Sequence, residues 1–461
     1  MTIRGDQLKD DIRVGQNDLQ PIVTNGIQYT GINLIGEPIN NTNILIFLSG
    51  YKKYVGNGNF SANFFFVDGD VFVSADGSDN CVALKSDQSV WIWGLNSSGQ
   101  VGDNTVNNRS SPVSVVGNHN FFRVAGGNNS VGLKSDGSIW AWGDNSSGQL
   151  GDNSISNRSS PVSVIGTHSF IDISVGVAHS LGLKNNGSIW TWGNNTFGTL
   201  GDNTVNSRSS PVSVVGNYGY NISYGSYGCG YDSTFAKNSD GGLLLAWGDN
   251  QYGQLGNNTV NNTSSPVSVI GAHTFIKIVA SYQAVALKSN GSIWSWGLND
   301  VGQIGVNDVA NRSSPVSVIG EHSFVDITCD QFNSAGLKSD GSVWNWGSNT
   351  SGQLGVNDVV SRSSPVSVIG GHSFVKIGSG RSYIVGLKGN GSVWLWGSNS
   401  NGRLGDNSIN NRSSPVSIIG SWPLVKSFGE LVSGDLLVWN GDFSGGNLSI
   451  TNYIDLFYAF R

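Results

Sequence analysis

Between Phe170 and Gly216 the apolar and polar positions keep a short, strand-like rhythm. "FIDIS" alternates apolar and polar residues, as a half-buried strand does. "AHSLGLKNNGSIWTWG" divides into two strands at Asn186-Gly187, a dipeptide that marks a tight hairpin because both turn positions need positive φ. The same signal stands at Asp136-Gly137, Asn290-Gly291, Asp340-Gly341 and Asn390-Gly391, is broken at Asp87-Gln88, and is stretched to Asp240-Gly241-Gly242. A long polar loop follows, and "SSPVSVVG" then reads as a fourth strand. Its proline lacks a donor, which suits the start of an outer, edge strand.

The unit recurs. Trp-Gly appears at Trp93, Trp142, Trp192, Trp247, Trp296, Trp346 and Trp396, in steps of 49, 50, 55, 49, 50 and 50 residues. Each is followed 19 residues later by the proline of Ser-Pro-Val, at Pro112, Pro161, Pro211, Pro266, Pro315, Pro365 and Pro415. Four antiparallel strands per 50 residues, seven times over, predict an all-β, seven-bladed β-propeller over residues 71–420. Residues 1–70 form an N-terminal anchor or attachment segment, and residues 421–461 a C-terminal appendage. Their runs "NILIFLSG", "NFFFVDGDVFV", "DLLVWNGDF" and "YIDLFYAF" read as strands, which either build a small β anchor or pair across the ends to close the ring.

Periodicity also decides what the Gly-, Asn- and Ser-rich stretch from Trp140 to Gly166 is. A phosphate-binding loop or a nucleophile is expected once; a loop repeated at a fixed pitch does one mechanical job in every copy. Gly148 and Gly151 let it fold back in conformations that a Cβ forbids. The paired tryptophans point to alternate faces, so one of each pair is expected between blades, where an aromatic side chain buries roughly 150–250 Å².

Composition narrows the class. The 461 residues include 65 Gly and 15 Trp, with only 12% charged, which excludes both disorder and a solvated helical protein. No run of 18 apolar residues exists, and the polar start "MTIRGDQLKDDIRVGQNDLQ" carries no secretory signal, so neither a membrane span nor export is expected. Net charge −6 gives no electrostatic reason to sit on nucleic acid or an anionic bilayer. Cys81, Cys229 and Cys329 make neither a metal spacing nor a disulfide framework, and are expected as free thiols.

The strings L-K-S-D-G-S-x-W-x-W-G, G-Q-L-G-D-N and S-S-P-V, at a pitch of about 50, resemble the regulator of chromosome condensation repeat family across about three quarters of the chain. The resemblance implies the seven-bladed propeller. The family's namesake is a chromatin-bound exchange factor for a small GTPase, and other members serve as ubiquitin-ligase modules, photoreceptors and secretion inhibitors, so the fold alone does not select a role. Here Arg4, Lys9 and Arg13 are interspersed with Asp6, Asp10 and Asp11, so the tail is not basic, and no inserted wedge stands out. "MTIRGDQLKDDI" resembles the opening of phage tail-fibre and virion attachment proteins.

Candidate binding residues lie where copies differ or where charge accumulates. Tyr218, Tyr220, Tyr224, Tyr227 and Tyr231 crowd the 55-residue step, suited to a sugar or protein ligand or else to filling a wider core. Arg109, Arg158, Arg208, Arg312, Arg362 and Arg412 form a ring, with Thr263 in the remaining copy. Such a ring suits an anionic glycan or phosphate; the favoured reading is structural, each Arg forking onto loop carbonyls of its own blade. Lys85, Lys134, Lys184, Lys237, Lys288, Lys338 and Lys388 repeat likewise, and so do His119, His168, His273, His322 and His372, with His179 apart; their repetition marks the histidines as structural. No hydrolase order, zinc string, Walker string or calcium loop is present, so no catalytic residue, metal or cofactor is assigned. Sequons such as Asn96-Ser-Ser, Asn108-Arg-Ser and Asn157-Arg-Ser follow from loop composition and are not read as glycosylated.

The resulting expectation is a non-enzymatic structural or binding protein: a bacteriophage virion component, fibre or decoration, displaying its propeller to a host-surface glycan or protein. The N-terminal segment would contact other virion proteins, and homo-oligomers fit such a component. The alternative is a cytoplasmic protein-interaction scaffold or an exchange-factor-like regulator of a GTPase. A polysaccharide lyase or hydrolase is a third reading, which needs a carboxylate pair lining the central channel.

Overall fold

The computed structural model describes residues 79–418 apart from 86–87, 217–218, 221–225, 240–241, 272 and 391. It also gives the backbone of eight short strands, at Ile12–Arg13, Ile22–Thr24, Ile27–Tyr29, Asn33–Leu34, Ile44–Phe47, Val55–Gly56, Phe72–Ser74 and Leu436–Trp439. The chain divides into two compact units: Gly69–Lys426, and Met1–Asp68 together with Ser427–Arg461. In the second unit Ile44–Phe47 runs antiparallel to Leu436–Trp439.

The first unit is a seven-bladed propeller, and no helix occurs among the described residues. Its blades, numbered one to seven, span residues 72–114, 123–163, 172–213, 227–268, 277–317, 326–367 and 376–417, and each is a four-stranded antiparallel sheet in sequence order. The first strands of neighbouring blades approach one another around the ring, so they are innermost and the Ser-Pro-Val strands outermost. In blade three, His179–Leu183 pairs with Ile189–Gly193 from Leu183 opposite Ile189 to His179 opposite Gly193. The outer strand slips register between Thr191 and Gly193, and the same bulge recurs in every blade. Pro therefore falls in the bulge of an edge strand, where no ladder donor is needed.

One expectation about the hairpins is corrected. Gly137 has φ +82°, but Asp136 is not in the left-handed region. Gly137 N–H donates to Lys134 O (2.9 Å) and Lys134 N–H to Ser138 O (3.0 Å), a three-residue loop in which only the last position needs positive φ. The aspartate acts through its side chain, accepting from Ser138 N (2.8 Å) and Ser138 Oγ (2.6 Å).

The long loop between third and fourth strands belongs to two blades at once. In blade two, Asn145 sits wholly buried three residues after Trp142. Its Nδ2 donates to Asp152 Oδ1, Ser154 O and Ser156 O, each at 3.1 Å, while its Oδ1 accepts from Leu150 N at 2.9 Å. The loop so fixed reaches onto blade three. Trp192 Nε1 and Ser180 Oγ both donate to Gln149 O (2.9 Å each), and Asn153 N donates to Ser209 O (2.8 Å). A Cβ on Gly148 would lie 2.6 Å from Ser209 Cα, and one on Gly151 2.8 Å from Trp192 Nε1, so the two glycines are required by close approach. The second tryptophan of each pair is fully buried at this interface, as expected, and the first, where present, is half-buried on the blade surface.

The same contact closes the ring. Asn407 N donates to Ser110 O (3.2 Å) and Trp93 Nε1 to Arg403 O (2.8 Å), joining blade seven to blade one. Here Arg403 replaces the usual glutamine, and its Nη1 lies 2.9 Å from Asp79 Oδ1 and 2.8 Å from Arg381 O. Among the described residues every blade is one continuous segment, so closure rests on side-chain and loop contacts rather than on an exchanged strand.

The irregular steps now have causes. Blades two and five turn from first to second strand one residue sooner (Gly127 N to Asn129 O, 2.6 Å; Ser281 N to Gln283 O, 2.7 Å) than blade three (Gly176 N to His179 O, 2.9 Å). These are the two 49-residue steps. In blade four, Tyr220 N donates to Gly187 O (2.9 Å), as Phe170 N does to Gly137 O (2.9 Å) in blade three. Tyr220 therefore holds the phenylalanine position, and the extra residues precede the inner strand Tyr227–Cys229.

Asn145→Ala leaves three loop acceptors and one N–H without their partner, and is expected to lower the unfolding free energy by about 3 kcal/mol. Denaturant unfolding monitored by tryptophan fluorescence measures this; an unchanged midpoint would remove the asparagine from its place in the fold.

Candidate functional site

All six ring arginines meet a carboxylate on their own loop. Arg158 Nη2 lies 2.9 Å from Asp152 Oδ2, Arg208 Nη2 2.9 Å from Asp202 Oδ2, and Arg412 Nη2 2.6 Å from Asp406 Oδ2; Arg109 pairs with Asp103 in the same way. In blades five and six the carboxylate has moved two positions along the loop, yet Arg312 still meets Asp308 (2.5 Å) and Arg362 meets Asp358 (2.8 Å). Only these two arginines fork onto loop carbonyls as well, at Ala310 O (2.8 Å) and Val360 O (2.6 Å). In blade four aspartate and arginine are lost together, as Asn257 and Thr263. Burial alone would raise the Asp152 carboxyl, but hydrogen bonds from Ser154, Arg158 and Asn145 more than reverse it and hold it below the ordinary value.

The lysines and histidines occupy the opposite end of the blades, at the hairpins and incoming connections. Lys134, Lys184, Lys288, Lys338 and Lys388 each lie 4.2–4.3 Å from the ring centre of the half-buried tryptophan, and Lys85 lies 3.8 Å from Trp91. Lys237, whose blade carries Leu245 instead, donates to Phe275 O (2.7 Å). The repeated histidines pack on the same tryptophans, His168 at 4.4 Å from Trp190, and Lys184 Nζ donates to His168 Nδ1 (3.0 Å). Burial and then the lysine charge depress His119, His168, His273, His322 and His372 below their ordinary value, so the lysine meets a neutral ring.

His179 is different. It is fully buried at the start of the second strand of blade three, and burial lowers it to about 3. Thr234 Oγ1 donates to Thr199 O (3.0 Å), so it accepts from His179 Nε2 (3.2 Å). Asp330, equally buried, accepts from Phe332 N (2.7 Å), Asn333 N (2.9 Å) and Ser382 N (2.7 Å) and thereby ties blade six to blade seven; burial still lifts it to about 7. All three cysteines are buried and none forms a disulfide. Among the described residues no three His, Cys, Asp or Glu side chains converge as a metal site requires.

The candidate tyrosines separate in space. Tyr218 and Tyr224 lie outside the described residues. Tyr220 and Tyr227 are core residues, Tyr220 with its ring 6.2 Å from Trp247. Tyr231 stands in the turn between first and second strands of blade four, half-exposed, its N–H donating to Ser281 O (3.4 Å) in the equivalent turn of blade five. That bond sets its ring 4.3 Å from Tyr282, inclined by 24°, and Tyr252 from the long loop of blade four meets Tyr282 at 5.8 Å and 80°. Burial, then the hydrogen bond with Tyr231, holds the Tyr282 phenol well above its usual range. Asp232 and Asp249 adjoin the trio, with Asp249 N donating to Asp232 O (2.8 Å). Gln251 Nε2 (3.1 Å) and Gln254 Nε2 (2.8 Å) hold the Asp249 carboxylate, whereas burial and then the Asp249 charge lift Asp232 to about 6.

Tyr252, Tyr282, Asp232 and Asp249 are absent from the sequence-derived candidates. Their signal lies in the columns of the repeat: blade three has Val177 where blade four has Tyr231, and blade two has Asn128 and Ser147 where blades five and four have Tyr282 and Tyr252. Three aromatic departures from three different columns meet at one rim. The arrangement offers aromatic surface beside carboxylates, groups suited to holding a polar or cationic ligand.

The profile of the Regulator of chromosome condensation (RCC1) repeat matches residues 87–133, 136–183, 186–236, 241–287, 290–336, 340–387 and 390–426. A second profile of the same description matches residues 71–100 and 170–199. No curated protein matches the chain. Similar solved structures include human WBSCR16, with TM-score 0.64 and 21% identity over 72% of this chain and 94% of that one. Prp20p from Saccharomyces cerevisiae, whose structure was described with its binding properties to Gsp1p and histones, has TM-score 0.65 and 21% identity over 76% and 88%. Yeast RCC1 (Prp20) bound to Kap60 has TM-score 0.65 and 19% identity over 82% and 91%. At these identities the likeness is one of fold.

His179 gives the site's pH test. Below pH 6.5, its ordinary value, the unfolded chain takes up a proton that the folded chain refuses down to about pH 3, so the stability present above pH 6.5 is lost on acidification. Relative to His179→Gln, which installs the residue found at the equivalent Gln283, wild type should lose about 1.4 kcal/mol per pH unit across that window. Urea titrations at several pH values measure the difference, and parallel profiles would overturn it.

Proposed function

We propose a function from one premise: this chain belongs to the regulator of chromosome condensation (RCC1) repeat family. It is a protein-binding propeller that acts by recognition rather than by bond-making, and the tyrosine-bearing rim of blades four and five is its recognition face. The observation that carries this reading is the convergence of Tyr231, Tyr252 and Tyr282, half-exposed, from three different columns of an otherwise regular repeat. The fold needs none of them, since blade three closes the turn of Tyr231 with Val177, and blade two closes the turn of Tyr282 and the loop of Tyr252 with Asn128 and Ser147. Exposed tyrosines present large contact area at low entropic cost, which favours a role in binding.

Regulation of a small GTPase, the role of the family's namesake, is the narrower form of this reading, and the fold shared with Prp20p supports it. The virion role rests on residues 1–12, all but Ile12 outside the described residues, and gains no support from the family or from the similar folds.

Affinity capture from a lysate of the source cells tests the recognition face. Wild type and Glu321→Ala, an exposed change on a connection at the opposite end, should retain the same proteins, and Tyr231→Ala/Tyr282→Ala should lose them. Equal capture by all three would place recognition elsewhere; recovery with virus particles instead would favour the virion role.

A further inference from the structure

The propeller contains two aspartates at one turn position, immediately before the second strand: Asp79 in blade one and Asp232 in blade four. Asp79 shows what such a carboxylate takes. The long loop of the preceding blade delivers Arg403, whose Nη1 lies 2.9 Å from Asp79 Oδ1. At Asp232 the loop position corresponding to Arg403 is Thr199, which donates its hydroxyl to the Asp232 carbonyl (3.1 Å) and brings no charge. Neither Asp232 nor Asp249 beside it has an ion-pair partner among the described residues. The cations of the repeat are committed elsewhere, six arginines to loop aspartates and six lysines to tryptophan faces. The neighbouring turns of blades four and five hold the buried hydroxyls of Ser233 and Ser281 without hydrogen-bond partners.

Aromatic walls complete the arrangement. Tyr252 and Tyr282 stand at 80° to one another, forming a corner, and Tyr231 backs Tyr282 at 4.3 Å. A planar guanidinium group can stack on one such wall and donate to a carboxylate in its own plane, a combination that an ammonium group fits less well. Resting on the recognition face proposed above, we infer that the corner between Tyr252 and Tyr282, with the Asp232 charge acting on Tyr282 from the adjoining turn, receives an arginine side chain of a protein partner. That arginine does from outside what Arg403 does for Asp79 from within.

The test uses the full chain and three capped tripeptides, Gly-X-Gly with X as Arg, Lys or Glu, followed by saturation-transfer NMR at millimolar peptide. The Arg peptide is expected to bind, the Lys peptide more weakly, and the Glu peptide not at all. Tyr252→Ala and Asp232→Asn should each weaken Arg-peptide binding about tenfold. Thr199→Arg, which supplies the missing cation internally, should abolish it, an outcome that a merely structural role for these residues does not produce. Should Thr199→Arg fail to fold, the other two variants still decide. Binding of no cationic peptide, equal binding of Arg and Glu peptides, or binding indifferent to both Asp232→Asn and Tyr252→Ala overturns the inference. If the peptides fail while protein capture still depends on Tyr231 and Tyr282, the arginine inference falls and the recognition face stands. The converse pattern removes the recognition face and keeps the arginine site.

Discussion

Every blade depends on its neighbour through one device, a loop held rigid by a buried asparagine and laid over the next blade's tryptophan. A four-stranded sheet of this size cannot bury both faces alone, so its stability has to come from the interface. The loop supplies that interface by two means. Its backbone donates to the neighbouring outer strand, from Asn104 N to Ser159 O and through every step to Asn407 N and Ser110 O. Its underside covers the indole, whose N–H finds a carbonyl there in blades one, two, three, five and six. The asparagine is wholly buried in all seven copies, as Asn96, Asn145, Asn195, Asn250, Asn299, Asn349 and Asn399, because the loop carbonyls it satisfies would otherwise be costly to bury.

This dependence explains which substitutions the repeat tolerates. The Asp–Arg pair can shift two residues, as in blades five and six, or vanish as a pair, as Asn257 and Thr263 do in blade four. A half-exposed ion pair contributes little, so either change is cheap provided neither charge is left alone. The asparagine and the two glycines allow no such latitude, since steric contact and buried polar groups fix them. The ring of arginines is therefore bound up with the loops that carry it, and each guanidinium already faces a carboxylate.

The architecture was largely legible in the sequence, because period-two alternation, Asp/Asn-Gly turns and a 50-residue pitch are local signals repeated seven times. Blade number, strand count and the buried tryptophan of each pair all follow from them. The role of the long loop was harder to see. Its Gly-Asn-Ser composition marks a turn, but only the three-dimensional structure shows that the turn lies on the following blade. The recognition rim was hardest, because Tyr231, Tyr252 and Tyr282 are 21 to 51 residues apart and meet only through the register of two inner turns and a loop. A run of five tyrosines drew attention to one stretch, yet two of them, Tyr220 and Tyr227, fill core positions that phenylalanine or a strand residue takes in other blades.

A near-regular repeat also simplifies the assignment of function. Each polar group that recurs has a recurring partner: asparagine with loop carbonyls, arginine with aspartate, lysine with tryptophan and histidine. What remains chemically unsatisfied stands out against that background. At the rim of blades four and five the repeat departs from itself in three aromatic residues, and a carboxylate that has an arginine in blade one has only a threonine hydroxyl on its carbonyl. With the recurring arginines and lysines of the repeat already engaged, this carboxylate is left for a group that arrives from another molecule.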